Sequence, residues 1–115
     1  MGYRMSDRAR PQISIDDEEG RQVGTAAIDI VDDAMVRASL HVEAGHLAPG
    51  TRTRLVDAVL DAPEVSSRRH VEVAVPIGDG EMLDRVRERS ETNVTRAAGT
   101  SCLISAEIPQ PGTAG

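Results

Sequence analysis

Apolar and polar residues alternate with a period of two along five stretches of the chain, and this pattern predicts β-strands. The alternation is clearest in residues 35–44, where Val36, Ala38, Leu40 and Val42 face one way and the residues between them face the other. The predicted strands cover residues 13–16, 21–31, 35–44, 69–76 and 100–108.

Apolar residues spaced three and four apart predict two amphipathic helices. The first runs from Thr51 to Asp61, with Thr51 as its N-terminal cap, and Pro63 stops it. The second begins after Asp79, whose carboxylate is a favoured N-cap, and ends near Arg89.

This order of elements predicts an α+β fold. We expect a two-layer sandwich with an about five-stranded mixed sheet, a β-meander followed by βαβαβ, and two short helices on one face. A right-handed crossover makes strand 69–76 the parallel neighbour of strand 35–44. Residues 12–108 are predicted to form a single domain, between a flexible leader at 1–11 and a flexible tail at 109–115. Whether the chain starts at Met1 or at Met5 stays open.

The core has to be built from small side chains. Trp and Phe are absent, and Tyr3 is the only aromatic residue among 115. Aromatic side chains normally supply much of the buried area, and a short chain has little surface to bury. We therefore expect the chain to form a homodimer.

Charge and cysteine content narrow the classes of function. The formal net charge of -6 argues against general nucleic-acid binding, because phosphates require a cationic surface. Glu81 and Arg85, four residues apart on the second predicted helix, are expected to form an ion pair. Cys102 is the only cysteine, and no apolar segment resembles a signal peptide or a membrane span. These features predict a cytoplasmic protein without membrane association.

The tripeptide His-Val-Glu occurs twice, at residues 41–43 and 70–72. In each copy the valine faces the predicted core, so the polar residues share the open face of the sheet. This face carries His41, Glu43, His70 and Glu72, together with Arg37 and Ser39. Imidazole and carboxylate groups are ligands for zinc, iron or manganese, and they also serve in acid–base catalysis. The alternative interpretation is an ordinary polar sheet surface.

A second candidate site precedes the first helix. It consists of Gly50, Thr51, Arg52 and Arg54. The free N–H groups of a helix N-terminus, with two nearby cations, could hold an anion such as phosphate. The alternative is a helix start with two solvated arginines.

The order of strands and helices also resembles the later half of the GNAT family of N-acetyltransferases. In that family the loop between strand and helix holds the pyrophosphate of acyl-CoA. The family pattern in this loop is Arg or Gln, two residues, Gly, one residue, then Gly or Ala. This chain matches it at Gly50 and departs from it with Leu47 at the first position and Arg52 at the last. The resemblance implies a truncated, inactive relative that keeps a pocket for CoA or phosphate.

No motif for a nucleophile or a phosphate-binding loop stands out, so the interpretation that we prefer at this point is a bacterial binding or assembly module without catalytic activity. This interpretation assigns no cofactor. It expects a protein or small-molecule partner, which the sequence does not identify. Two alternatives stay open: a metal-binding or acid–base enzyme that uses the His and Glu residues, and a truncated acetyltransferase-like binder of CoA or phosphate.

Overall fold

The computed structural model describes residues 12–43 and 47–108. The predicted leader, the predicted tail and His46 lie outside the described residues. Within them the chain forms six strands and three helices. The strands are β1 (Gln12–Asp16), β2 (Gln22–Ile30), β3 (Met35–Val42), β4 (His70–Pro76), β5 (Thr92–Ala98) and β6 (Ser101–Glu107). The helices are α1 (Thr51–Asp61), α2 (Pro63–Ser66) and α3 (Gly80–Arg89).

The strands form one mixed sheet in the order β1-β2-β3-β4-β6-β5. Strands β3 and β4 are parallel, as the crossover rule predicts, and every other neighbouring pair is antiparallel. The sheet therefore consists of a β1–β3 meander and a β4–β6–β5 half, which meet at one parallel pair.

The core lies on one face of the sheet. Alternate residues of the strands, such as Leu40 and Val73, are buried in one cluster with Leu55 of α1 and Met82 of α3. The opposite face carries exposed side chains such as His70. The two long helices thus cover a single face, and this confirms the mixed α+β fold predicted from the sequence.

The prediction of about five strands is one strand short, because it misses β5. This strand forms the edge of the sheet, and its side chains are mostly exposed on both faces. Val94 is 70% exposed, so no apolar face produces the alternation that identifies a strand in the sequence.

The two helix starts differ in their capping. Helix α1 has the predicted bounds, but Thr51 is not its cap: Gly50 is the N-cap, with a φ of 86°, and no side chain caps the helix. Thr51 is instead buried as the first helical residue. Helix α3 is capped as predicted, since the Asp79 carboxylate accepts a hydrogen bond of 3.1 Å from the backbone N–H of Met82.

None of the helices in the described part of the chain has the length and apolar character that a membrane span requires.

Candidate functional site

The two His-Val-Glu tripeptides lie on neighbouring strands, but the register of those strands keeps them apart. His70 is opposite Met35, and Glu72 is opposite Arg37. His41 lies six residues beyond Met35 along β3, which corresponds to a separation of roughly 20 Å from His70. In residues 12–43 and 47–108, no group of three or more His, Cys, Asp or Glu side chains could hold a metal ion. The predicted four-residue cluster is therefore not assembled.

The acidic members of this predicted set have other partners. Glu72 lies 2.9 Å from Arg37 Nε and 3.6 Å from an Arg96 Nη atom. Glu43 follows the end of β3 and lies 3.5 Å from Arg21. These contacts stabilise the polar face of the sheet and leave the carboxylates paired with cations.

His70 is likewise engaged at the other end of the sheet, where its Nδ1 lies 3.7 Å from Glu107. His41 and Ser39 lie at the carboxyl end of β3, in the region where the sheet is interrupted.

The interruption is the point at which β3 and β4 cease to pair, and we call it the parting of β3 and β4. Their pairing ends at Ser39 and Ala74, although β3 continues to Val42 and β4 to Pro76. Beyond this point β3 stays paired with β2, and β4 stays paired with β6. The two halves of the sheet consequently diverge, and the backbone groups of β3 and β4 that face the gap lack a strand partner.

A cleft of about 320 Å³ opens at the parting. We call it the strand cleft; its lining includes Ser39, His41, Ala74, Pro76, Thr100 and Ser101. Most of these side chains are small or carry hydroxyl groups, and His41 adds an exposed imidazole. The strand cleft can therefore hold a small group beside an imidazole that is able to accept a proton.

A second cleft, of about 470 Å³, lies at the same ends of β3 and β4 beside the helix starts. We call it the helix cleft; its lining includes Glu43, Arg52, Pro76, Gly78, Asp79 and Glu81. Pro76 lines both clefts, so the two are adjacent.

The N-terminus of α1 is available to an anion. Helix α1 has no side-chain cap and no acidic residue in its first turn. Gly50 has a positive φ, and a Cβ atom placed on it would meet no other atom within 4 Å. The N–H of Thr51 donates to the carbonyl oxygen of Ala48 at 3.1 Å. The next N–H groups of the first turn have no intrahelical acceptor, so this end presents donors and a partial positive charge.

The N-terminus of α3 has the opposite character. Asp79 caps it and Glu81 lies in its first turn. Asp79 also accepts a hydrogen bond of 2.9 Å from Arg52 Nε, which joins the starts of α3 and α1. Carboxylates already occupy this position, so an anion is favoured at α1 and not at α3.

Farther along the same helices, the predicted Glu81–Arg85 pair gives way to contacts between α1 and α3. Asp57 accepts hydrogen bonds from Arg85 at 2.8 and 3.1 Å and from Arg89 at 3.0 Å. Arg89 also donates to Asp61. The hydrogen bonds from Arg85, and to a smaller extent the one from Arg89, hold the pKa of the Asp57 carboxyl below its usual value, against the opposing effect of desolvation.

Several residues of this site escaped prediction from the sequence, namely Ala74, Pro76, Asp79 as a cleft residue, Thr100 and Ser101. One signal could have found part of this set. Ala74, Pro76 and Asp79 lie at or just beyond the carboxyl end of a strand predicted to be parallel to its neighbour, and such ends are where α/β sheets bind ligands.

No family model matches the chain, and no curated protein matches it either. Solved structures do match its fold. A protein described as an acyl-CoA N-acyltransferase from Klebsiella pneumoniae has a TM-score of 0.65 at 13% identity, over 89% of this chain and 74% of that one.

Two further structures were solved with ligands. A GNAT superfamily phosphinothricin acetyltransferase from Sinorhizobium meliloti, in complex with AcCoA, has a TM-score of 0.60 at 12% identity, over 96% of this chain and 67% of that one. A spermidine N-acetyltransferase from Vibrio cholerae, in complex with CoA and spermine, has a TM-score of 0.62 at 10% identity, over 90% and 69%. The chain thus has the GNAT acetyltransferase fold.

These neighbours contradict the interpretation preferred from the sequence, a binding or assembly module without catalytic activity, because they are acetyltransferases. They favour the alternative that the order of elements suggested. Leu47 and Arg52 depart from the family pattern in the loop, whereas the arrangement of strands and helices is retained.

Proposed function

We propose that this chain binds acyl-CoA at the parting of β3 and β4 and transfers the acyl group to an amine. The observation that carries the proposal is the end of the β3–β4 pairing at Ser39 and Ala74, in a sheet that otherwise stays continuous. Pro76 lines both the strand cleft and the helix cleft at this point, and the helix cleft reaches Arg52 of α1.

The residues at α1 fit the phosphate groups of CoA. Gly50 allows close approach of a ligand to the backbone, the first turn of α1 has no acidic residue, and Arg52 and Arg54 add positive charge. A helix N-terminus with this composition favours phosphate. The start of α3 does not fit, since Asp79 and Glu81 would repel it.

The parting fits the amide-containing arm of CoA. This arm is an extended chain with two amide groups, and it requires backbone-like hydrogen-bond partners. Beyond Ser39, the N–H and C=O groups of β3 that face the gap have no partner on β4. A ligand that adds to this edge would satisfy groups that are costly to leave unpaired.

The strand cleft supplies a candidate base. Acyl-CoA would bring a thioester, whose carbonyl carbon can accept an amine. As the C–N bond forms and the C–S bond breaks, the amine loses a proton and the departing sulfur takes one up. His41 lines the strand cleft with an exposed imidazole and is the residue that we assign to accept the amine proton.

Isothermal titration of the chain with CoA tests the binding step. We expect saturable binding to the wild-type chain and weaker binding to Ala74→Leu, because the larger side chain would fill the strand cleft. Ala98→Leu makes the same change at an exposed position on the edge strand and should bind CoA as the wild-type chain does. An absence of heat and of thermal stabilisation up to millimolar CoA would contradict the proposal.

Acetyl transfer from acetyl-CoA to a simple amine such as butylamine tests the assigned base. His41→Ala should lower the rate by roughly a hundredfold, the usual contribution of a general base. Its affinity for CoA should stay unchanged, because His41 is assigned to the amine and not to the phosphates. His70→Ala, which alters an imidazole at the other end of the sheet, is the matched control.

The homodimer expected from the small core stays a prediction. Light scattering of the purified chain at micromolar concentration tests it, and a mass of one chain would exclude it. A small molecule is the partner that the proposed function requires.

A further inference from the structure

His41 borders a second cleft besides the strand cleft, on the side of β3 that faces β2. This cleft has a volume of about 260 Å³ and lies where β2 begins and β3 ends. We call it the β2–β3 cleft; its lining consists of Gln22, Val23, Gly24, Thr25, His41, Val42 and Glu43. A group held in this cleft therefore lies next to the imidazole that we assign as the base.

The side chains available to a ligand in the β2–β3 cleft are polar. Val23 is buried, Val42 packs against the core, and Gly24 has no side chain. The remaining members of the lining are Gln22, Thr25, His41 and Glu43. They offer an amide, a hydroxyl, an imidazole and a carboxylate. Covering these groups without hydrogen bonds would be costly, so the cleft suits a ligand that carries hydrogen-bonding groups of its own.

Glu43 and His41 are spaced so that one nitrogen atom of a ligand can contact both. The backbone N–H of Glu43 donates to the carbonyl oxygen of Val23 at 2.9 Å, which continues the pairing of β2 and β3 one residue beyond Val42. Residues two apart on a strand face the same way, with Cα atoms roughly 7 Å apart. A nitrogen with one hydrogen bond to the carboxylate and one to the imidazole fits this spacing, since each bond measures about 3 Å.

Glu43 is also less engaged by cations than Glu72, on the same face of the sheet. Glu72 is 14% exposed and lies 2.9 Å from Arg37 and 3.6 Å from Arg96. Glu43 is 47% exposed, and within the described part of the chain its ion pair is with Arg21, at 3.5 Å. The Arg21 side chain is itself 65% exposed. Such an exposed ion pair contributes about 0–1 kcal/mol, so an ammonium group can replace Arg21 at little cost.

Size and charge narrow the ligand further. The β2–β3 cleft, at about 260 Å³, falls below the ~300–1,000 Å³ that is usual for drug-sized ligands, so it fits a small molecule. Its described lining holds one carboxylate, that of Glu43, and no lysine or arginine. A positive charge is therefore attracted and a negative one is repelled. These properties describe a small ammonium compound with a neutral, polar body.

We propose that the β2–β3 cleft binds the acyl acceptor, and that this acceptor is a small amine with hydroxyl or amide groups on its body; the assignment rests on the proposed function. Glu43 holds the ammonium group. Gln22 and Thr25, which lies opposite His41, form hydrogen bonds with the body. The nitrogen held beside His41 is then the atom that attacks the thioester in the strand cleft, and the polar residues around it determine which amine is accepted.

Two amines of the same shape test the class of acceptor. Serinol (2-amino-1,3-propanediol) has two hydroxyl groups where 3-aminopentane has two methyl groups, and both are ammonium ions at neutral pH. In an NMR titration of the isotope-labelled chain, serinol should bind more tightly by roughly threefold or more, as expected for added hydrogen bonds. The shifted resonances should include those of Thr25 and Glu43. Equal affinities, or tighter binding of 3-aminopentane, would overturn the inference.

Two variants assign the contacts to individual side chains. Glu43→Gln removes the charge but keeps the shape, and it should weaken binding of both amines by roughly tenfold, the size expected for one charge-assisted hydrogen bond. Thr25→Val keeps a β-branched side chain in β2 and should weaken binding of serinol alone, by roughly threefold. Glu91→Gln makes the same change of charge at an exposed position before β5 and should bind both amines as the wild-type chain does.

Arg21→Ala separates contact with the ligand from the ion pair that Glu43 already makes. If an ammonium group replaces Arg21, its removal should leave the affinity for serinol unchanged or make binding tighter. A loss as large as that in Glu43→Gln would show that the ion pair maintains the cleft and that Glu43 does not contact the amine. That result would overturn the inference, as would unchanged binding in Glu43→Gln.

Acetyl transfer distinguishes failure of this inference from failure of the proposed function. With serinol as acceptor, Glu43→Gln should raise KM by roughly tenfold, in line with its loss of binding. Its affinity for CoA should not fall, although Glu43 also borders the helix cleft. A wild-type chain that binds CoA and acetylates butylamine, without any dependence on Glu43 or Thr25, would overturn the inference and leave the proposed function intact. A wild-type chain that neither binds CoA nor transfers an acetyl group would overturn both.

Discussion

The two ends of the α1–α3 helix pair differ in how many of their charged side chains have partners on the other helix. At the paired end, defined by Asp57, Asp61, Arg85 and Arg89, every one of these side chains has a partner on the other helix. At the open end, defined by Arg52 and Asp79, the helices are joined by the hydrogen bond from Arg52 to Asp79 and by one of 3.1 Å from Thr53 Oγ1 to Glu81, beside a cleft of about 470 Å³. The difference indicates that the paired end stabilises the fold, whereas the open end borders the site that we propose for acyl-CoA.

Loss of core packing at the paired end should have the largest effect on stability. Leu60 is 1% exposed and lies in the last turn of α1. Leu60→Ala should lower the free energy of unfolding by about 2–5 kcal/mol, because it leaves a cavity in the core. Chemical denaturation measures this change, and Leu83→Ala, at a half-buried position on α3, should cost less. Equal costs in the two variants would show that burial does not distinguish these positions.

Removal of the charge at the centre of the paired end should have the next largest effect. Asp57→Asn should lower the free energy of unfolding by about 1–2 kcal/mol at neutral pH, because it removes the negative charge and one of the two acceptor oxygens that face the two arginines, while the site stays partly exposed. Asp84→Asn, an exposed position on α3, is the matched control and should be nearly neutral.

The difference in stability between the wild-type chain and Asp57→Asn should also depend on pH, with a defined sign. Asp57 has a lower pKa in the folded chain than in the unfolded one, so its contribution to stability is complete above the unfolded value of about 3.9. That contribution is lost as the pH falls through the folded value. The stability difference between wild type and Asp57→Asn should therefore shrink as the pH is lowered below about 4. A difference that stays constant down to pH 2 would contradict the assignment.

At the open end, the backbone conformation of Gly50 should affect stability more than the space around its Cβ position does. Gly50 has a φ of 86° and open space around its Cβ position, so Gly50→Ala should cost about 1 kcal/mol through backbone strain alone. Gly80, the first residue of α3, has equally open space without a positive φ. Gly80→Ala should be neutral or slightly stabilising in the same thermal unfolding assay, and a similar cost at both positions would count against this explanation.

The smallest effect should appear in the exchange of backbone amides, without any mutation. Amides of β3 up to Ser39 lie between two strand neighbours, whereas those from Leu40 to Val42 border the gap on one side. Hydrogen–deuterium exchange should be faster for the gap-facing amides of Leu40–Val42, and CoA should slow it there. Uniform protection along β3 would indicate that the parting is closed in solution.

Residues with regular local patterns made much of the fold predictable. The bounds of α1 follow from the spacing of Leu55, Val56, Val59 and Leu60, and the cap of α3 follows from Asp79. The parallel pairing of β3 with β4 follows from the right-handedness of crossover connections, which results from the right-handed twist of β-strands. Strand β5 could not be found this way, because an edge strand exposed on both faces has no apolar alternation.

The candidate site depended on relations between distant residues, which local patterns do not contain. Two identical tripeptides suggested a shared cluster, but a register that pairs Met35 with His70 separates His41 from His70. Arg52 and Asp79 are 27 residues apart in the chain and 2.9 Å apart in the structure. The sequence by itself determined which segments form strands and helices, since that depends on short-range periodicity and capping. Only the tertiary structure decided strand register, the parting of β3 and β4 and the orientation of Arg52, because these depend on how the two halves of the sheet pack beneath α1 and α3.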